Sequence, residues 1–143
     1  MDAGPESVSA LLHTSRLFLL NQLVSNELFS QTDLERRASL LGLKLQTNVP
    51  CRCCAVSVLT EEVEVRRQLL EQAAGLLTEA TRDISCEIWL RADQSLLMIC
   101  EYIPQSDLER NALRRVVSAL RQQSGVRCIA CLGPEVQGLL HIA

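Results

Sequence analysis

Three segments of this chain are apolar at nearly every position, and this pattern constrains the fold more than any other feature. They span residues 52–59, 96–102 and 126–132. Each has the length of a β-strand and is too short to cross a bilayer. Because successive side chains of a strand point to opposite faces, such strands present apolar side chains on both faces of a sheet. Both faces must therefore be covered, either by the N-terminal helices of this chain or by a partner subunit.

A fourth strand is predicted at residues 84–90, where two sets of side chains alternate along the sequence. The apolar set is Ile84, Cys86, Ile88 and Leu90, and the other set is Ser85, Glu87 and Trp89. The short segment 91–95 joins this strand to the apolar strand at 96–102. The two strands are therefore predicted to form a hairpin.

Four helices are predicted from the spacing of apolar side chains and from capping residues. They span residues 7–29, 32–42, 60–81 and 106–125. The hydroxyl of Thr32 is expected to form a capping box with Glu35, and Ser106 to form another with Glu109. Thr60 is expected to cap the third helix.

The order of these elements is two helices followed by strand, helix, strand, strand, helix and strand. This order predicts an α+β, ferredoxin-like fold with a four-stranded antiparallel sheet, as in GGDEF and nucleotide cyclase domains. Right-handed crossovers would place the first and third strands in the middle and both crossover helices on one face. Residues 1–45 are interpreted as a signalling helix with a connecting helix, and residues 46–143 as the core, together forming one compact domain.

Charge and cysteine content restrict the partners and the compartment. The 143 residues include 14 basic and 17 acidic side chains, and a net charge of -3 provides no broad cationic field for nucleic acid. Seven cysteines in apolar runs indicate a reducing compartment, in which cysteine serves as a small buried side chain. Neither a signal peptide nor an apolar window long enough to span a membrane is found, so we expect a cytoplasmic protein without membrane contact.

Catalytic and metal-binding patterns are weak in this sequence. A cyclase of this strand order needs carboxylates for a divalent cation at the end of the first strand and in the hairpin. The first strand ends in Ser57, Leu59 and Thr60, and the hairpin supplies Asp93 without a glycine. We therefore expect no enzyme activity and no cofactor. His13 and His141 lie near no nucleophile and are expected at the surface.

Two cysteine groups resemble zinc ligands in spacing, namely Cys51, Cys53 and Cys54 and the pair Cys128 and Cys131. Residues three apart on a strand point to opposite faces, which favours core packing over a metal site. A cross-strand contact of Cys54 with Cys128 is the further alternative.

Some other side chains have two interpretations each. Arg66 lies near the middle of the apolar stripe of the third helix and either binds an anionic ligand or a buried carboxylate, or extends its guanidinium to solvent. Trp89 is either covered by the N-terminal helices or is the contact for a partner or ligand. The stripe of Arg110, Arg114 and Arg121 is either a contact surface or a solvated face.

Four segments resemble a known family. They are LLNQLVSNE at 19–27, LERRASLLGL at 34–43, DQSLLMI at 93–99 and CIACLGPEV at 128–136. They are similar to the degenerate GGDEF-like middle domain of bacterial transcription regulators, which include YesN-type response regulators with an AraC-type DNA-binding end and the PucR and CdaR regulators. The likeness extends over nearly the whole chain from about Leu11, and the chain begins and ends near that domain's boundaries.

The resemblance implies a non-catalytic sensing or dimerisation module between a receiver or sensor domain and a helix-turn-helix domain. A homodimer is expected, with Leu12, Leu19 and Leu23 as a helix-pairing seam, or else packed on this domain's own sheet. The segment itself is not expected to contact DNA. The alternative function is a small-molecule-binding sensor module of another pathway with the same topology.

Overall fold

A computed structural model describes residues 5–25, 30–91 and 95–142, with side chains from residue 10 onward. The helices are α1 (Pro5–Val24), α2 (Gln31–Leu41), α3 (Val63–Ala80) and α4 (Leu108–Ser124), with a short 3-10 helix at Leu139–His141. The strands are β1 (Cys51–Leu59), β2 (Cys86–Arg91), β3 (Ser95–Glu101) and β4 (Arg127–Val136). The fold is mixed α+β, as predicted. Within these ranges no helix combines the length and the apolar character that a membrane crossing requires.

The four strands form one antiparallel sheet in the order β2-β3-β1-β4. β1 pairs with β3 from Cys51 opposite Glu101 to Ser57 opposite Ser95. On its other side β1 pairs with β4, with an irregularity between Arg52 and Cys54. The first and third strands therefore lie in the middle, as the order of elements predicted, and β2 and β4 form the edges.

At the two ends of α2, the predicted N-terminal cap is wrong and the predicted C-terminal cap is correct. Ser30 is the N-cap, because its hydroxyl accepts a hydrogen bond of 3.1 Å from the amide of Asp33. The predicted capping box of Thr32 and Glu35 is therefore wrong by two positions. Gly42 ends the helix with φ 67°, in the left-handed region that glycine adopts readily.

Two further caps are also displaced from their predicted positions. α3 begins after Glu62, and the hydroxyl of Thr60 accepts a hydrogen bond from the Glu62 amide at 3.3 Å. At α4, the Ser106 hydroxyl accepts from the amide of Leu108 at 3.3 Å. Glu109, the predicted partner of Ser106, forms an ion pair with a β1 side chain instead. A tertiary contact has thus replaced the predicted local one.

Two elements end several residues away from their predicted ends. α1 ends at Val24 instead of at residue 29, and residues 26–29 lie outside the described ranges. β4 continues through Gly133 and Pro134 to Val136, although these two residues predicted its end. A proline is tolerated there because β4 is an edge strand. Gly133 is required by close packing, since a Cβ atom at this position would lie 2.7 Å from the carbonyl oxygen of Cys53.

Each face of the sheet has its own hydrophobic core. The first core lies between the sheet and the helices α3 and α4, and its largest buried side chains are Leu70, Leu77, Leu96, Met98 and Leu120. The second core lies under α1, α2 and the C-terminal turn, and its largest are Leu19, Leu20, Leu34, Ile99 and Leu139. The N-terminal helices therefore cover the second face, which the sequence left open between these helices and a partner. The division into residues 1–45 and 46–143 stays a prediction, although both segments share this second core.

Candidate functional site

Trp89 attaches α1 to the sheet. This residue of β2 is the single tryptophan of the chain and is 4% exposed. Its indole Nε1 donates a hydrogen bond of 2.9 Å to the side-chain oxygen of Asn21 on α1. Of the two interpretations of Trp89, burial under the N-terminal helices is the one that the structure shows.

Glu87 forms a second polar link between the sheet and the N-terminal layer. It is 4% exposed, and its Oε2 accepts a hydrogen bond of 2.6 Å from the backbone amide of Lys44. The Nε of Arg16 on α1 lies 3.9 Å from its Oε1. Because an unpaired buried carboxylate is strongly unfavourable, these contacts hold α1 and the segment after α2 in one position. The sequence indicated this role only through an acidic residue placed beside Trp89 on the same strand face.

An exposed apolar surface lies across α1 and α2, and we call it the α1–α2 surface. It consists of Leu11, Leu12, Phe18 and Leu40, which are 67%, 47%, 61% and 73% exposed. A cavity of about 470 Å³ between the helices is lined partly by Phe18 and Leu40. Phe18 and Leu40 meet at this cavity, Leu11 lies two turns before Phe18 on the same stripe of α1, and exposed apolar patches are typical of interaction sites.

The three leucines of the predicted seam do not form one surface. Leu19 and Leu23 are 0% and 4% exposed and belong to the second core, which is the alternative that the sequence analysis kept open. Leu12 lies two helical turns before Leu19 on the same stripe and is exposed. Phe18 and Leu11, seven residues apart, form the exposed stripe instead.

A second cavity lies where β1 ends and α3 begins, and its volume is about 590 Å³. It is lined by Ser57, Val58, Leu59, Thr60, Glu61 and Arg66. Arg66 donates a hydrogen bond of 3.1 Å to the carbonyl oxygen of Thr60, so its guanidinium is held beside the cavity. The structure thus places Arg66 at an opening of the size of a ligand site, which the sequence did not predict, and its role stays a prediction.

This cavity lies at the end of β1, where the sequence was expected to supply carboxylates if the chain were a cyclase. Ser57 is opposite Ser95, so the end of β1 lies beside the start of β3. Among the described residues of the lining, Glu61 is the one carboxylate, and Arg66 adds a positive charge beside it. A cation that bridges phosphates needs more carboxylates than this described part of the lining supplies. The predicted hairpin residue Asp93 lies outside the described residues.

Six of the seven cysteines are buried or half-buried, and Cys131 is exposed. Cys131 therefore contradicts the prediction that these residues serve as buried side chains. It lies on the edge strand β4, opposite Ala55 of β1 and on the sheet face of the second core, yet its side chain is exposed. Burial raises the pKa of Cys51 and of Cys53 to about 11, so both thiols are protonated at neutral pH.

Cys54 and Cys128 are both buried in the first core, as core packing predicts, and the alternative of a contact between them is wrong. In the sheet register Cys128 is opposite Val58, whereas Cys54 is opposite Leu132. Cys54 instead forms a hydrogen bond with the thiol of Cys100, and this bond together with burial raises the pKa of Cys54. Within the described ranges, no cluster of three or more His, Cys, Asp or Glu side chains is arranged to hold a metal ion.

Arg52 and Glu109 form a buried ion pair that the sequence did not reveal. Arg52 Nη1 lies 3.0 Å from Glu109 Oε1, and the two side chains are 18% and 5% exposed. The guanidinium also lies over the ring of Tyr102, 5.0 Å from its centre. This cluster joins β1, the end of β3 and the first turn of α4. Its partners are 57 positions apart in the chain, so local pattern alone could not identify them.

The remaining predicted residues are at the surface. His13 and His141 are exposed, as expected. Arg110, Arg114 and Arg121 are exposed along α4, and the first two line a groove beside β4.

The fold and these surfaces define an α+β domain whose single sheet is covered by helices on both faces. Comparison of the chain with protein-family models gives no match, and comparison with curated proteins gives none either.

Proposed function

We propose that this chain is a non-catalytic regulatory domain of a bacterial transcriptional regulator. In this role it dimerises and relays a signal from a receiver or sensor domain to an adjacent helix-turn-helix domain, which alone contacts DNA. The α1–α2 surface is the observation that carries this proposal, because α1 both exposes apolar side chains and is fixed to the sheet. A cytoplasmic location follows from this role.

We also assign the domain to the ferredoxin-like, GGDEF-like class. The strand order β2-β3-β1-β4 and the packing of α3 and α4 on one face support this assignment. The lining of the cavity at the end of β1 supports a non-catalytic member, since Ser57 and Thr60 stand where acidic ligands would be needed.

The proposed relay depends on two properties of α1. Its C-terminal half is fixed through Leu19, Leu23 and the hydrogen bond of Asn21 to Trp89. Its outward face exposes Leu11 and Phe18. A second copy seated on this outward face would therefore register any change in the angle of α1. Such a signal shifts the population of dimer arrangements without chemistry.

The α1–α2 surface has the character of the centre of a homodimer interface. Stable interfaces bury about 800 Å² from each partner, with an apolar core and a polar rim. Leu11, Phe18 and Leu40, each more than half exposed, would supply that core. Arg37 and Thr14 beside the cavity would lie at the rim. In a two-fold dimer the same surface is used by both copies, so one patch is sufficient.

Light scattering over a range of concentrations tests the proposal. We expect a dimer, and we expect Phe18→Asp combined with Leu40→Asp to yield a folded monomer, because both side chains are exposed. Leu108→Asp is the matched control, since Leu108 is 48% exposed on the opposite side of the sheet. The proposal is wrong if the wild-type chain stays monomeric at all concentrations, or if the control dissociates the dimer equally.

The cavity beside Arg66 favours a second candidate, a small-molecule sensor module of another pathway. Its volume of about 590 Å³ is within the range of ligand sites, and the guanidinium of Arg66 suits an anionic group. A thermal-shift screen of small carboxylates and phosphates tests this candidate. A shift that Arg66→Ala abolishes, in a chain that is monomeric, would favour it over the dimerisation module.

A further inference from the structure

We infer that β4 and α4 together form a docking groove for an extended acidic peptide, which adds to the sheet as a further strand beside β4. This inference is independent of the proposed regulatory role. It rests on the free edge of β4, on the groove next to that edge and on the charge of the groove.

The edge of β4 is open to a further strand. In the sheet of the described residues β4 is a terminal strand and pairs with β1. Alternate residues of an edge strand direct their amide and carbonyl groups away from the sheet, where an added strand can bind them. Pro134 lacks an amide hydrogen, so the pairing segment is the part from Arg127 to Leu132.

A groove runs beside this segment, between β4 and α4, with a volume of about 470 Å³. Its floor is apolar and is formed by Leu113, Val117, Ala130 and Leu132, with Leu132 itself 37% exposed. Because side chains of an added strand alternate, every second one would enter this groove. An edge strand next to a helix is the arrangement by which proteins bind extended peptides through backbone pairing and side-chain pockets.

The wall of the groove on α4 is basic. Arg110 and Arg114 line it, and both are exposed. None of the ion pairs in the described part of the chain involves either residue. Glu109 does not neutralise them, because its carboxylate is buried against Arg52. Asp107, at the start of α4, is the nearest acidic residue along the helix and is exposed.

This charge selects the occupant. A second copy that added its own β4 in a two-fold arrangement would bring like-charged groove walls together, and like charges oppose pairing. Nucleic acid is disfavoured by the net charge of -3. The occupant must pair with the edge of β4 and must carry negative charge. A strand with Glu or Asp at alternate positions does both, since its backbone pairs with β4 and its carboxylates reach Arg110 and Arg114.

Fluorescence anisotropy with the full chain tests the inference. The probe is a short labelled peptide of alternating Glu and Val, blocked at both termini. We expect saturable binding, weakened roughly tenfold or more by Arg110→Glu with Arg114→Glu. Arg115→Glu is the matched control, because Arg115 is the next residue of the same helix and lines a different cavity, facing α3. The Arg115→Glu variant should bind the peptide with the same affinity as the wild type.

Two further peptides and one oligonucleotide separate the mechanisms. A peptide with Lys in place of Glu should bind much more weakly, and one with a central proline should lose binding because it cannot pair with β4. Binding that survives the proline would overturn the strand-addition mechanism. Equal binding of the Lys peptide would overturn the assignment of the basic groove as the binding site. So would unchanged binding of the Glu peptide by the Arg110→Glu, Arg114→Glu variant, provided that this variant unfolds at the same midpoint as the wild type. Tighter binding of a short duplex DNA than of the Glu peptide would identify a nucleic acid surface instead.

Discussion

The buried ion pair of Arg52 and Glu109 leads to the most quantitative prediction. Glu109→Ala removes a carboxylate that is 5% exposed and leaves the guanidinium of Arg52 at 18% exposure without its counter-charge. The Nε of Arg52 is already buried without a hydrogen-bond partner, so little polar compensation is at hand. Breaking a buried pair in this way costs about 3–5 kcal/mol, and the residual exposure of Arg52 places the expected value near 3 kcal/mol. A domain of this size should then lose roughly 10 °C in Tm.

Urea unfolding followed by the fluorescence of Trp89 measures this change, because Trp89 is the single tryptophan and is buried. Combining Arg52→Met with Glu109→Leu should restore stability to within about 1 kcal/mol of the wild type, since apolar side chains of similar volume replace buried pairs well. Glu79→Ala, which breaks the exposed pair with Arg82, is the control and should leave the free energy of unfolding nearly unchanged. If Glu109→Ala has as little effect as this control, or if the double variant is no more stable than Glu109→Ala, the reasoning about burial is refuted.

Four further predictions concern backbone packing and the thiols. Gly133→Ala should destabilise the chain by about 1–3 kcal/mol, because its Cβ would lie 2.7 Å from a β1 carbonyl oxygen. Gly75→Ala should instead stabilise it by about 0.5–1 kcal/mol, since this helical position has open space; urea unfolding checks both signs, and matching signs would refute the argument. Burial raises the pKa of Cys51 and Cys53 from 9.0 to about 11, so the unfolded chain loses these protons at a lower pH than the folded chain does. Their contribution to stability should be complete below pH 9 and fall between pH 9 and 11; a free energy of unfolding that rises over this interval would contradict it. At neutral pH the exposed Cys131 should react first with Ellman's reagent, as peptide mapping would show.

The sequence by itself determined the elements and the faces of the strands. In β3, strand alternation assigns Leu97 and Ile99 to one face and Leu96 and Met98 to the other, and these pairs lie in the two separate cores. This succeeds because strand alternation is a local property of the backbone. The central position of the first and third strands followed from the handedness of the crossovers.

The capping residues show the limit of local pattern. Ser30 and Ser106 accept backbone amides near the predicted positions, whereas Glu62, the N-cap of α3, makes no side-chain hydrogen bond to the helix. Glu109 is the clearest case. As a capping residue it would stay at the surface, whereas the approach of β1 brings Arg52 to it and buries both side chains.

Only the tertiary structure decided which surfaces remain open. The same stripe of α1 is buried at Leu19 and exposed at Leu12, because the sheet lies beneath Leu19 and does not extend as far as Leu12. Cys131 has the local pattern of a buried strand residue, yet it is exposed because β4 is an edge strand. Burial depends on what packs opposite a residue, and that partner is distant in sequence. The α1–α2 surface, the β4 edge and the groove beside Arg110 and Arg114 are therefore properties of the assembled fold, whereas the helices and strands that form them could be predicted from the order of the residues.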